Sequence, residues 1–187
     1  MAYLDKAGLE HLVDKIKAYV NNRVIPISKG GTGATTALNA RGNLGIKYTG
    51  VAASVRGSVQ SASLAASIMK LVPCNTFISK TDDAFSLSGS GGLIVPYTGV
   101  VEVSGTVYIS ASTGQMGCYL KKGTTTANAV ELTSQYVAAN GNGGVASGRL
   151  IIPVNAKDVI YMYARASVAG TFAPNNPATH LDVAYIR

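Results

Sequence analysis

Val95-Pro96-Tyr97-Thr98-Gly99-Val100-Val101-Glu102-Val103-Ser104-Gly105-Thr106-Val107-Tyr108-Ile109-Ser110 decides the fold of this 187-residue chain. Side chains of an extended strand point alternately to opposite faces. Val101, Val103, Val107 and Ile109 therefore line one face, and Glu102, Ser104, Thr106 and Tyr108 line the other. A strand of this kind covers a core on one side and meets a polar environment on the other. The same texture runs from Ser67 to the end, where short apolar runs are bounded by Gly, Asn, Asp and Pro clusters. It predicts strands near residues 68–72, 75–79, 85–87, 92–96, 99–110, 115–121, 130–138, 148–153, 158–167 and 180–187. Many short strands separated by turn signals predict a β-sandwich.

Two late segments break the alternation. In one, Val159, Tyr161 and Tyr163 share a face and Ile160, Met162 and Ala164 share the opposite one. In the last, Leu181, Val183 and Tyr185 oppose Ala184 and Ile186. A strand apolar on both faces needs cover on its outer side. In a small domain that cover is most simply another subunit, so Tyr161, Tyr163, Leu181, Val183 and Tyr185 are expected at an interface between copies.

The N-terminal part reads differently. Asp5 is a candidate N-cap, followed by Leu9, Leu12, Val13, Ile16, Tyr19 and Val20 at three-four spacing, which predicts an amphipathic helix ending at Asn21-Asn22. About two heptads are too short to be stable alone in water, so the helix needs a partner. The partner is either its own domain or other copies around a fibre axis, through Leu9, Leu12 and Ile16. Pro26-Ile27-Ser28-Lys29-Gly30-Gly31-Thr32-Gly33-Ala34-Thr35-Thr36-Ala37 follows, with Asn43-Leu44-Gly45 beyond it. Its glycines let the backbone turn tightly, and Thr35 or Thr36 can cap a short helix. A phosphate-binding loop would require Gly-Lys-Ser/Thr where Ala34-Thr35 stands, so a structural joint is expected. Residues 47–66, rich in Ser, Ala, Gly and Val, read as an extended linker or an irregular first strand. The expected organisation is an N-terminal helix for assembly or attachment (1–25), a Gly-rich joint and linker (26–66) and a sandwich domain (67–187).

Two resemblances add to this reading. The segment from Pro26 to Gly45 resembles a PISKGGTGATTA…NLG module that recurs in tail-fibre and other fibre proteins of bacteriophages. Tyr3-Leu4-Asp5-Lys6-Ala7-Gly8-Leu9 looks like the start of minor structural proteins in phages of Gram-positive bacteria. The runs from Val95 to Gly105, from Ile152 to Val159 and from Thr179 to Ile186 resemble the TNF/C1q-like jelly roll. Val101 stands where that family usually has Tyr, and Lys157 replaces the Gly of its Gly-Asp pair. The resemblance implies a mainly β, jelly-roll C-terminal domain whose inner strands meet at a three-fold axis, hence a homotrimer.

Composition narrows the chemistry. Charged residues make up 13% of the chain and hydrophobic ones 47%, which suits a surface buried against copies of itself or one rich in Ser, Thr, Asn and Gly. The net charge of +7 is concentrated in residues 1–60. No basic cluster alternates with aromatics, so no nucleic-acid partner is expected. Cys74 and Cys118 lie in no CxxC pattern and near no histidine, so no metal is expected, and they read as small buried hydrophobes. The opening residues predict no signal peptide, and no apolar run is long enough to insert in a membrane. His11 and His180 are the only histidines. His180 and Asp182 share a strand face, but no Gly-x-Ser-x-Gly elbow accompanies them. Asp82-Asp83 reads as a turn rather than a glycosidase pair. Neither catalytic residues nor a cofactor are expected.

Recognition needs no catalytic pair, only loops on a rigid scaffold. Residues 138–144, with Asn140 and Asn142, and residues 169–179, with Phe172, Asn175 and Asn176, are long and polar enough to touch a receptor. The expected function is a phage or prophage fibre protein. Its N-terminal segment would join other virion proteins, and its trimeric knob would bind a host-surface glycan. The protein would be made in the host cytoplasm and reside in the virion. The alternatives are a purely structural fibre tip or capsid decoration, and a carbohydrate-active enzyme.

Overall fold

The computed structural model describes residues 5–21, 31–36, 39–40, 43–44, 50–139 and 143–186. The chain divides into two compact units, Met1–Lys47 and Tyr48–Arg187. In the first, helix α1 spans Lys6–Asn21. Asp5 caps it: its Oδ1 accepts from Gly8 N at 2.8 Å and its carbonyl from Leu9 N at 3.0 Å. Leu9, Leu12, Val13, Ile16, Tyr19 and Val20 are all exposed. In the joint, Thr36 is the capping residue, accepting from Asn39 N at 3.2 Å, and Gly33 takes a φ of 63°. Residues 22–30, including the Pro26-Ile27-Ser28-Lys29 start of the module, lie outside the described residues.

The second unit is a two-sheet sandwich of strands β1 (Ala52–Arg56), β2 (Ala62–Leu64), β3 (Lys70–Val72), β4 (Thr76–Lys80), β5 (Ser86–Leu87), β6 (Leu93–Ile94), β7 (Gly99–Ala111), β8 (Gln115–Gly123), β9 (Val130–Ala138), β10 (Gly144–Val154), β11 (Val159–Ala166), β12 (Gly170–Phe172) and β13 (His180–Tyr185). In the first sheet, β10 pairs with one edge of β7. The other edge of β7 is shared by β13 and β12, and β1 and β4 continue the sheet beyond β13 while β2 lies beside β12. The second sheet runs β5-β6-β11-β8-β9, with β3 also on β11. Every pairing is antiparallel.

The alternation predicted for the stretch after Val95 is realised in β7. Val101, Val103, Val107 and Ile109 are buried between the sheets, while Glu102, Ser104, Thr106 and Tyr108 point outward, half-buried. Gly105 falls on the inward face, where a Cβ would come within 2.7 Å of Leu120 Cδ2 and 3.1 Å of Met162 Sδ. The absence of a side chain there lets the second sheet approach β7 closely.

Three sequence expectations are corrected by the packing. The sandwich begins before Ser67, because β1 and β2 lie in the stretch read as an extended linker or an irregular first strand, and Val55 and Leu64 from them are buried in the core. Strand β11 is covered on its core face and over the first part of its outer face, in both cases by this chain itself, while Tyr163 is half-buried. Ile160, Met162 and Ala164 face the core. Val159 and Tyr161 lie under the loop between β5 and β6, where the backbone at Gly92 abuts the Tyr161 ring and Ser90 Oγ is 3.4 Å from its hydroxyl. Strand β13 is one-faced: Leu181, Val183 and Tyr185 are buried in the core, and His180, Asp182 and Ala184 face out.

Lys157 adopts a φ of 74°, in the left-handed region that disfavours side chains with a Cβ. It sits in a tight turn before β11, with Lys157 N donating to Val95 O at 2.8 Å and Asn155 N to Asp158 Oδ2 at 2.9 Å. A glycine would take this φ without strain. Lys157→Gly is expected to stabilise the domain by about 1 kcal/mol in urea unfolding.

Cys74 and Cys118 are unbridged and fully buried. Burial pushes each thiol up to about 12 from 9.0. The unfolded chain releases these protons near pH 9.0 while the folded chain keeps them, so both groups make stability fall as pH rises between those values. The Cys74→Ala/Cys118→Ala variant should lose stability less steeply over that range than the wild type. Neither wild-type thiol should react with a thiol reagent at pH 8 without unfolding.

Candidate functional site

The outward face of the first sheet is an ordered grid set by the registers. One row runs Arg149, Ser104, Asp182, Ser54 across β10, β7, β13 and β1; the next runs Ile151, Glu102, Ala184, Ala52. A third row joins Ser147, Thr106 and His180. Two contacts between ionisable side chains lie within this face. Arg149 Nε bonds Glu102 Oε1 from the neighbouring strand. Asp182 Oδ2 lies 3.3 Å from His180 Nε2 and accepts from Ser104 Oγ at 3.2 Å. Apolar groups stand between and beside these pairs: Ile151 is 62% exposed, Val145 41% and Ile186 43%.

His180 and Asp182 do meet, as their spacing predicts. The hydroxyl beside the ring is Thr106 Oγ1, 3.0 Å from His180 Nδ1, and it donates to Ala178 O at 2.7 Å. With its proton committed to a carbonyl, Thr106 accepts from the ring instead of giving up a proton to it. The nucleophile–base relation that activates a hydroxyl is thus missing from this arrangement. Among the described residues, no three His, Cys, Asp or Glu side chains are grouped to hold a metal ion.

The two loops expected to carry recognition start from the same end of the sheet. Ile109 of β7 pairs with Gly144 on one side and with Phe172 on the other. Asn140 and Asn142 lie outside the described residues. Phe172 is a core residue, 1% exposed, and cannot stack on a ligand. Asn176 Oδ1 accepts from Ala178 N at 2.8 Å, closing an Asx turn, and Asn175 is tied to Val59 O through its backbone N–H at 3.1 Å. Both asparagines are half-buried. Of the residues expected at a subunit interface, Leu9, Leu12 and Ile16 are exposed on α1, whereas Tyr161, Leu181, Val183 and Tyr185 are buried within one chain and Tyr163 is half-buried. The face that β13 offers to another molecule is the opposite one.

The sequence reading placed Tyr161, Tyr163 and Tyr185 at an interface, gave Tyr119 and Tyr136 no role, and so missed a polar-aromatic cluster on the outward face of the second sheet. There Arg165 of β11 and Tyr136 of β9 stand opposite Gly117 of β8 on its two sides. Arg165 Nη1 reaches Tyr119 OH at 3.2 Å and Tyr136 OH at 3.3 Å, and its Nε donates to Ser67 O at 3.1 Å. The two phenols also bond each other. Their rings pack edge to face, centroids 5.6 Å apart. In the next rows lie Tyr163 and Lys121, with Lys121 Nζ 5.1 Å above the Tyr163 ring. Gly117-x-Tyr119 and Tyr163-x-Arg165 place these groups on one face by strand parity. That is the sequence signal from which the cluster was legible.

The arrangement of two antiparallel sheets, with the long β7 flanked by β10 and β13, is the jelly roll of TNF and C1q domains. An Eiger TNF from S. frugiperda superposes with a TM-score of 0.58 at 12% identity, covering 73% of this chain and 92% of that one. Murine APRIL gives 0.57 at 14% identity over 73% of this chain and 98% of its own. The globular domain of a zebrafish complement 1qA protein gives 0.51 at 19% identity, again over 73% and 98%. At such identities the likeness is one of fold alone. None of the three is an enzyme by name. No protein-family model matches the sequence, and no curated protein does.

Proposed function

We propose that the chain is a phage or prophage fibre-type protein of the virion, whose jelly-roll unit assembles as a homotrimer and serves as an adhesion knob for a host-surface saccharide. The observation that carries this reading is the outward face of the first sheet. Its Glu102 and Arg149 are already paired with each other, and Asp182 already accepts from Ser104 beside His180, so bringing a second copy against it strips water from few groups that lack a protein partner. Its exposed Ile151, Val145 and Ile186 supply apolar area to bury. The jelly-roll likeness and the Gly-rich module support the same assignment. Helix α1, with Leu9, Leu12 and Ile16 exposed, and the joint after it would align the three chains and attach them to other virion proteins. Three weak sites on one rigid trimer raise avidity far above single-site affinity. Such a knob works by multivalent binding, with no reaction step.

The rival reading is a structural tip or decoration that binds nothing specific, favoured by the Asx-turn role of Asn176 in a loop expected to touch a receptor. Competition distinguishes the two. Purified chain added to host cells should block adsorption of the parent particle, and a structural tip would leave adsorption unchanged. Ile151→Glu places a charge in the apolar part of the proposed interface. The variant should stay folded, fall to one third of the wild-type mass in solution, and lose at least tenfold in blocking potency.

A further inference from the structure

The Tyr119–Tyr136–Arg165 cluster has a donor balance that selects its ligand. Arg165 is held by three neutral oxygens, those of Ser67, Tyr119 and Tyr136, and no described carboxylate lies within ion-pair distance of it. Three other cations of this unit are neutralised, Arg149 by Glu102, Lys122 by Asp158 and Lys80 by Asp83, whereas Lys121, in the neighbouring row, is like Arg165 in meeting no described carboxylate. The charge on Arg165 is therefore not neutralised locally. Both phenolic oxygens accept from Nη1 of Arg165 and one phenol donates to the other, which leaves one phenolic proton uncommitted. The two protons on Nη2 of Arg165 have no acceptor among the described residues. The cluster thus presents surplus donors around a fixed positive charge. An oxyanion, carboxylate or phosphate, satisfies both at once.

An exposed aromatic ring lies beside these donors. Gly117 has no side chain to separate Tyr136 from Arg165. A Cβ there would sit 2.9 Å from Tyr136 Cε1, so the ring lies across the glycine to reach the guanidinium. Tyr136 remains 44% exposed. Beside it Tyr119 is nearly buried and fixes the hydroxyl pair, while Tyr163 and Lys121 extend the surface along β11 and β8. An exposed aromatic face next to a charge-bearing donor set suits a pyranose, whose C–H face packs on the ring while its acidic substituent meets Arg165.

We propose that the outward face of the second sheet carries a binding site for an acidic saccharide, a sugar bearing a carboxylate or phosphate, built by Arg165, Tyr119 and Tyr136 and flanked by Tyr163 and Lys121. This names the ligand class for the recognition step proposed above and rests on that reading. A trimer closed through the first sheet leaves this face at its periphery, one site per chain.

The test titrates the full chain with glucuronic acid, glucose 6-phosphate and neutral glucose, read by chemical-shift changes in two-dimensional NMR. The expected result is saturable shifts in β8, β9 and β11 with one or both acidic sugars, and at least tenfold weaker binding of glucose. The stronger acidic sugar identifies the substituent. Arg165→Gln should weaken binding of that sugar at least tenfold. Tyr136→Ala, which removes an exposed ring and leaves the Arg165–Ser67 bond in place, should weaken both acidic sugars and provides the variant if loss of Arg165 disturbs folding. Equal binding of glucose, shifts elsewhere only, no binding of any sugar, or binding untouched by both folded variants overturns the proposal. A chain that blocks particle adsorption yet ignores acidic sugars refutes this ligand class and leaves the adhesion reading standing. A chain that binds acidic sugars here yet does not block adsorption refutes the adhesion reading and leaves the site standing.

Discussion

The packing of β7 against β8 and β11 is the contact on which the rest of the sandwich depends. Strand β7 is 13 residues long and pairs along both edges, with β10 on one side and β13 and β12 on the other. Its inward row of Val101, Val103, Val107 and Ile109 meets Cys118, Leu120, Ile160 and Met162 across the core. Each such fully buried side chain contributes roughly 1.5–3 kcal/mol relative to exposure. The gap at Gly105 sets how near the two sheets come, because Leu120 and Met162 fill the space a side chain would take. A larger residue at that position would push on both strands of the opposite sheet at once.

The same alternation turns Glu102, Ser104, Thr106 and Tyr108 outward, and it divides the molecule into two unlike surfaces. On the first sheet, Glu102 and Arg149 pair between neighbouring strands, His180 and Asp182 meet along β13, and the apolar groups beside them lack cover. On the second sheet, a guanidinium is braced only by neutral oxygens, and its Nη2 donors meet no acceptor among the described residues. Matched charge with apolar area favours a second copy of the surface, whereas unmatched positive charge beside exposed aromatic rings favours an acidic sugar. Assembly and recognition would then occupy opposite sides of one sandwich, and neither would obstruct the other.

How much of this was legible in the sequence follows from how local each signal is. The alternation in β7 is written in consecutive residues and was read correctly, as were the Asp5 cap of α1 and the jelly-roll class. Strand β11 was read correctly as apolar on both faces, but its cover was assigned to another subunit. The covering residues, Ser90 and Gly92, are small and polar or featureless, so nothing in them announces that they lie on Tyr161. Strand β13 misled for a related reason: Ala184 is too small to mark a face as apolar, and the polar neighbours His180 and Asp182 set its true character. Strands β1 and β2 were hidden because alanine and serine alternate there with only Val55 and Leu64 as anchors. Phe172 looked like a loop aromatic, although β12 pairs it beside Ile109 and points it inward. In the Tyr119–Tyr136–Arg165 cluster, Gly117-x-Tyr119 and Tyr163-x-Arg165 set the face of each strand, but the meeting of residues 29 and 46 positions apart is written in no short window.

The most direct test of the account is the solution mass of the wild-type chain by light scattering at neutral pH. The account predicts three times 19.2 kDa, with the outward face of the first sheet buried between copies. A mass of 19.2 kDa across the micromolar range would contradict it, because that face, with its matched charges and uncovered Ile151, would then stand open to water.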